Sequence, residues 1–389
     1  MAQAGAGQDR WKDRWTFVPR YRRWIEAQDI PIHHTYFVDD LRTIEVGPWE
    51  EQECNAAVVV LTGQEYQMET RITEIPPGQT MAPIKFSLDE LIYVLSGRGL
   101  ATIWTEGGPK KTFEWQPHSM FVVPRNYSYQ LANAQGHVPA RVLHYNYLPM
   151  AMSIIPEPKF FFDNPALQPD TDILGGEEHD VYSEAKFIQG AARENRTTGG
   201  SWVASFFPDL MAWDKLSSMA GRGPGAYSSG LAFPNFTTLR AGLPIMASGT
   251  YKKAHAHGSG VVIVIPGGEG MSIMWPMGGE QKVYPWHEGS MFAPPNLWFH
   301  QHFNLNANLA HYLTLHPARN IEPSGRALVG GGTQIEFVDE DPWIRQTFEA
   351  ELAKRGIESL MNPEIYTNPD FKWLLPEIQE LEDQEHSPE

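Results

Sequence analysis

Between turn signals such as PPGQ, EGGPKK, PGGEG and PMGGEQ the chain carries short apolar runs rich in Val, Ile, Phe, Tyr and Trp: 91–95 (LIYVL), 101–104 (ATIW), 120–123 (MFVV), 261–265 (VVIVI), 271–275 (MSIMW) and 291–293 (MFA). Runs of this length and type, punctuated by Gly and Pro, predict the strands of an all-β sandwich or barrel. Helical periodicity is confined to the flanks. Pro19 to Gln28 reads as a short helix, and Asp341 with Pro342 caps and opens another that runs to about Arg355 and stops at Gly356.

The pattern repeats. Aligning PPGQTMAPIKFSLDELIYVLSGRG with the stretch around SGTYKKAHAHGSGVVIVIPGGEG pairs Gly78 with Gly249 and Gly97 with Gly268, both 171 residues apart, and the same offset pairs Pro124 with Pro295 and Asn133 with Asn304. One ungapped register over this length implies two copies of one barrel. The expected organisation is a flanking segment (1–60), a first barrel (61–150), a Pro/Gly-rich inter-barrel segment (151–230), a second barrel (231–320) and a helical tail (321–389). The inter-barrel segment is longer than an ordinary connection, which suits a linker draped on the barrels or a lid over a pocket.

At 389 residues, with 42% hydrophobic and 12% aromatic side chains, the chain has ample material for two buried cores. A formal net charge of −17, with no Lys/Arg-rich block, argues against nucleic acid and anionic membranes as partners. The first residues, MAQAGAGQDRWKDRW, carry charges where a signal peptide has its apolar core, and Cys54 is the one cysteine. A cytoplasmic location and a site without cysteine ligands are therefore expected.

The C-terminal copy reads Gly249, five residues, His255-Ala256-His257, three residues, Val261, six residues, Gly268; then Gly289, five residues, Pro295, and on to His300 and Asn304. These two motifs resemble those of the cupin superfamily, in which His-x-His, a Glu and a later His surround a metal. Every histidine is in place, and Val261 stands where the family has its Glu. In the N-terminal copy Ile84, Phe86 and Tyr129 hold the histidine positions and Glu90 keeps the carboxylate. The resemblance covers 75–318 and implies two tandem cupin (double-stranded β-helix, jelly-roll) barrels with short flanking helices, of which only the second binds metal. The physics agrees: on a strand, residues i and i+2 share a face, so His255 and His257 point together into a lumen and His300 from another strand completes a facial set. All three vanish together from the sister copy, unlike a chance pair of structural histidines.

Imidazole ligands suit Fe, Ni, Cu, Zn or Co, and a carboxylate would have favoured Mn. A neutral three-histidine site resembles the gentisate-type and related cupin dioxygenases. That resemblance implies an oxidoreductase: an Fe(II) dioxygenase using dioxygen on a small aromatic or enolisable acid, with Mn, Ni, Zn, Co or Cu as other metals. Gentisate-type bicupins use the N-terminal barrel, so gentisate itself is not the expected substrate. The alternatives are a non-redox metal cupin (decarboxylase, isomerase or aminohydrolase) and a ligand-binding bicupin without catalysis. A homodimer or higher homo-oligomer is expected by the same resemblance.

Further catalytic candidates follow from alternation. His302 lies two residues beyond His300 and serves as acid/base or orienting group, or merely pairs with a rim carbonyl. Lys253, two before His255, offers a cation to a substrate carboxylate, or snorkels to water. Trp275, Trp298 and His311 face the lumen or the outside, and the pattern leaves both open.

Overall fold

The computed structural model describes residues 18–64, 67–169, 173–174, 180–188, 201–212, 216–218, 222–234, 236–258, 260–316 and 334–371. Two copies of one strand pattern fill most of that chain. Glu69–Ile75 and Arg240–Met246, and likewise Ser128–Asn133 and Phe299–Asn304, begin and end 171 residues apart. Each copy has a large and a small sheet, antiparallel throughout except where Ile32–Thr35 joins Cys54–Leu61 in parallel. In the first, the large sheet runs through Cys54–Leu61, Glu69–Ile75, Ala140–Asn146, Glu90–Ser96 and Met120–Val123; in the second, through Ala226–Ser229, Arg240–Met246, Ala310–His316, Val262–Gly267 and Met291–Phe292. The small sheets place Gly99–Trp104 between Ser128–Asn133 and Lys110–Trp115, and Glu269–Trp275 between Phe299–Asn304 and Lys282–His287. Large and small sheets packed face to face make a double-stranded β-helix, so the fold is all-β with two tandem cupin-type barrels.

The flanking segments do more than connect. Phe206–Phe207 pairs antiparallel with Met120 and Phe121 of the first barrel. Phe37–Val38 pairs in the same way with Met291 and Phe292 of the second. Each barrel's large sheet thus has an edge covered by the segment that precedes the other barrel, which satisfies backbone groups that an open edge would expose. Between the barrels the two large sheets bury a shared core that includes Ile72, Leu91, Tyr93, Leu143, Leu243, Val264, Met291 and Leu313. Burying one such side chain contributes roughly 1.5–3 kcal/mol, so this shared core holds the two copies together.

The tail helix Pro342–Arg355 lies on the outer face of the second small sheet. Asp341 accepts the Trp343 N–H at its start, and Gly356 ends it at φ 68°, the left-handed conformation that a glycine adopts without a Cβ clash. Its Ile344, Phe348 and Leu352 pack over Tyr251, Met271 and Phe303. Its 14 residues and short 3-10 turns at Phe337–Asp339 and Pro363–Tyr366 are what is helical among the described residues of the expected tail. The first helix covers Arg20–Glu26, shorter at both ends than Pro19–Gln28.

Candidate metal centre

His300 lies on the strand Phe299–Asn304, buried to 1% exposure. His255 sits opposite it in an isolated antiparallel bridge, and His257 follows two residues on. The turn that launches the His300 strand contains Leu297 at φ 61°, and its N–H donates to the His257 carbonyl at 3.0 Å. The sister barrel has Asn126 at φ 66° donating to Phe86 at 2.7 Å, so this strained turn belongs to the fold and not to the metal chemistry.

The three imidazoles converge. One ring nitrogen from each falls within 4.8 Å of the others. Ring centroids are 4.3 Å apart for His255 and His300 and 4.7 Å for His257 and His300. Each Nδ1 lies against a backbone carbonyl: His255 on Lys253 at 3.2 Å, His257 on Gly258 at 2.8 Å and His300 on Trp298 at 3.1 Å. A carbonyl only accepts, so each Nδ1 carries the proton and each Nε2 keeps its lone pair as a ligand. Burial, reinforced by the neighbouring histidines, holds His255 and His300 well below the ordinary histidine range. Neutral, pre-oriented imidazoles of this kind fit a divalent first-row metal.

Val261, 6% exposed, occupies the position of Glu90 and brings no carboxylate to the ring of histidines. His302 shares the inward face with His300, their rings 5.5 Å apart. Trp286 N–H donates to Ser272 Oγ at 3.1 Å, and Ser272 Oγ lies 2.8 Å from His302 Nδ1. This hydrogen bond fixes the ring's orientation and turns Nε2 away from Ser272. Burial first, then Lys252 and His257, brings His302 down to about 3, so its ring is neutral.

Lys253 points elsewhere than alternation implies. Its ammonium pairs with Glu336 at 2.6 Å and lies over the Phe337 ring. The inward cation is Lys252, 4% exposed, with Nζ 5.0 Å from the Tyr312 ring centroid and no carboxylate against it among the described residues. The cause is a bulge. Tyr251 bridges Phe303 and His255 bridges His300, so three intervening residues on one side oppose two on the other and the faces exchange in between. Burial, with a smaller contribution from Arg222, lowers the Lys252 ammonium to about 7. Trp275 packs on the outer face under the tail, Trp298 lies by the lumen cluster, and His311 is half-buried beside the inward Tyr312.

In the first barrel Ile84, Phe86 and Tyr129 are buried, as their apolar character leads one to expect. Around them is an ionic network. Arg71 donates to Glu69 at 2.5 Å and to Glu90 at 2.9 Å, the Tyr129 hydroxyl donates to Glu90 at 2.5 Å, and Asn146 donates to both carboxylates at 3.1 Å. Among the described residues the histidine triad is the one cluster with metal-ligand geometry.

No family model matches the chain, and no curated protein does. Solved structures do. A deletion mutant of Bacillus subtilis oxalate decarboxylase is 14% identical, with 73% of this chain and 77% of that chain covered and a TM-score of 0.46. An oxalate decarboxylase structure concerned with its substrate binding mode and a reaction specificity switch is 13% identical over 86% of each chain, with a TM-score of 0.48. Another, concerned with the Mn(II) centres of the Bacillus subtilis enzyme, is 13% identical over 86% of each chain, with a TM-score of 0.47. These likenesses concern the fold alone. Strand order gives a tandem cupin-type fold, in which one lumen gathers three histidines with the spacing of metal ligands and, among the described residues, the other gathers none.

Proposed function

We propose that the second barrel is a metal-dependent catalytic centre for a small anionic substrate. The observation that carries this reading is the convergence of three lone-pair Nε2 atoms, each fixed by a carbonyl behind it, on a lumen that also contains the buried Lys252. A divalent ion held by His255, His257 and His300 supplies Lewis-acid chemistry with positions open to a chelating anion. Val261 keeps that lumen wall apolar, so no protein carboxylate competes for those positions. Lys252 attracts the substrate's negative charge and, poised near neutrality, passes a proton. His302, its ring oriented by Ser272, offers its Nε2 as a hydrogen-bonding group.

A proton donor at this position favours non-redox proton chemistry such as decarboxylation of a keto or dicarboxylic acid. There the C–C bond breaks, CO2 departs, and the electron pair left on carbon takes the proton from Lys252. The second reading is an Fe(II) dioxygenase of a phenolic or enolisable acid, favoured by the missing carboxylate at Val261. Protein loaded in turn with Mn(II), Fe(II), Co(II), Ni(II) and Zn(II) and offered keto acids, dicarboxylic acids, catechols, hydroxybenzoates and β-diketones separates them. CO2 release without oxygen supports the first, and stoichiometric oxygen uptake supports the second. Metal-loaded protein that shows neither across the panel overturns the catalytic reading. Val261→Glu is expected to retain metal at least as tightly and to depress turnover, because the new carboxylate takes a position meant for substrate; unchanged turnover would remove Val261 from the argument.

A further inference from the structure

The first barrel has lost its ligand set but has kept a hole. A cavity of about 230 Å³ lies where the sister barrel gathers its histidines: Ile84, Phe86 and Glu90, the counterparts of His255, His257 and Val261, all line it. At ~30 Å³ per water it has room for about eight waters, or one small organic molecule. Ile84 and Phe86 therefore do not fill the vacated space as their apolar character suggests.

The lining is specific. Trp24 stacks on Phe162 at 5.0 Å and Phe86 stacks on the same ring at 5.2 Å, which builds one wall from three aromatic side chains brought by three separate segments. Trp49 stands on another side with the Arg71 guanidinium 5.2 Å from its ring centroid. At the floor the Arg71 guanidinium and the Glu90 carboxylate line the cavity as a pair, and Glu69 pairs with Arg71 from behind the lining. His144 lies 3.4 Å from Glu90, and burial holds it below the ordinary histidine range. At the rim Glu51 and Asp163 outnumber Lys159. The charged lining, Glu51, Glu90 and Asp163 against Arg71 and Lys159, carries one excess negative charge, with Glu69 adding another just behind it, the opposite of the second lumen with its Lys252.

We infer that the first barrel binds a small organic cation, a primary or quaternary ammonium on an alkyl or aryl group, in this cavity and without metal. Carboxylate excess attracts the charge and repels anions, and aromatic faces add cation–π attraction to a group that sheds its water easily. The site is independent of the catalytic reading of the second barrel and takes the opposite charge.

Calorimetric titration of full-length, EDTA-treated protein tests this with three probes of similar size: benzyltrimethylammonium, benzyl alcohol and benzoate. The expected result is saturable binding of one benzyltrimethylammonium per chain, at least about tenfold tighter than benzyl alcohol, unchanged in His300→Ala and not displaced by benzoate. Trp24→Leu is expected to weaken it about tenfold. Glu51→Lys, at an exposed position, is expected to weaken the cation severalfold and to let benzoate compete. Equal affinity for benzyl alcohol, displacement by benzoate in the unaltered protein, no saturable binding at millimolar probe, or an affinity that neither variant changes would each overturn the inference.

Discussion

His255 and His300 are joined twice through their backbones: His255 N–H donates to the His300 carbonyl at 3.1 Å, and His300 N–H donates to the His255 carbonyl at 2.9 Å. The ring separation of 4.3 Å is thus set by main-chain pairing and needs no metal to hold it. His255→Ala or His300→Ala is expected to abolish binding of about one divalent ion per chain while leaving the far-ultraviolet circular dichroism and the melting temperature close to those of the metal-free parent. Metal analysis by mass spectrometry decides it, and ion retained by both variants would remove the site.

Lys252 sits in the lumen as a buried ammonium without a carboxylate against it, and Tyr312, whose ring it faces, has a hydroxyl with no hydrogen-bond partner among the described residues. Lys252→Met keeps the length and removes the charge. Metal content is expected to stay unchanged, thermal stability to hold or rise because a costly buried charge is gone, and KM for the anionic substrate to rise about tenfold or more. The same change at Lys253 breaks a pair with the half-exposed Glu336 and is expected to shift KM by less than about twofold.

Glu340 supplies a pH dependence. Burial raises its carboxyl from 4.5 to about 7, against the opposing hydrogen bonds from Tyr251 and Gln301, both at 2.6 Å. A raised folded value means that folding takes up a proton. The associated stability is complete below the unfolded value near 4.5 and is lost as pH rises through about 7. The loss is about 3–4 kcal/mol at most, for a rise from 4.5 to about 7 at 1.36 kcal/mol per pKa unit. Glu340→Gln is expected to flatten this decline between pH 5 and 8, since the Gln301 amide has an unpaired Oε1 that can turn to meet the new N–H. Melting curves across that range measure it.

Two glycines at equivalent places test the repeat itself. A Cβ on Gly99 would fall 1.9 Å from the Ala132 carbonyl oxygen and 2.3 Å from Trp115, and one on Gly270 would fall 2.1 Å from the Phe303 oxygen and 2.4 Å from Trp286. Gly99→Ala and Gly270→Ala are each expected to destabilise by at least about 1–3 kcal/mol in urea unfolding. Gly136→Ala, with open space around it, is expected to change little.

Sequence by itself determined what depends on local spacing and internal comparison. The strands came from apolar runs, and the cap at Asp341 and the stop at Gly356 from residue types that serve backbone groups at helix ends. The offset of 171 came from repeated Gly, Pro and Asn, whose roles are now visible: the Asn133 and Asn304 amides donate to backbone carbonyls at equivalent corners of the two barrels. The convergence of His255, His257 and His300 was legible because the spacing singled them out together.

Tertiary structure decided whatever depends on register between distant strands. The bulge between Tyr251 and His255 put Lys252 inward and Lys253 against Glu336, and no pattern within that segment shows how many residues oppose it across the sheet. Phe37–Val38 and Phe206–Phe207 are too short to read as strands; the open edges of partners far along the chain make them so. The cavity beside Arg71 arises because Trp24, Phe86 and Phe162 meet from three separate segments, and the space between side chains belongs to their packing rather than to any one of them.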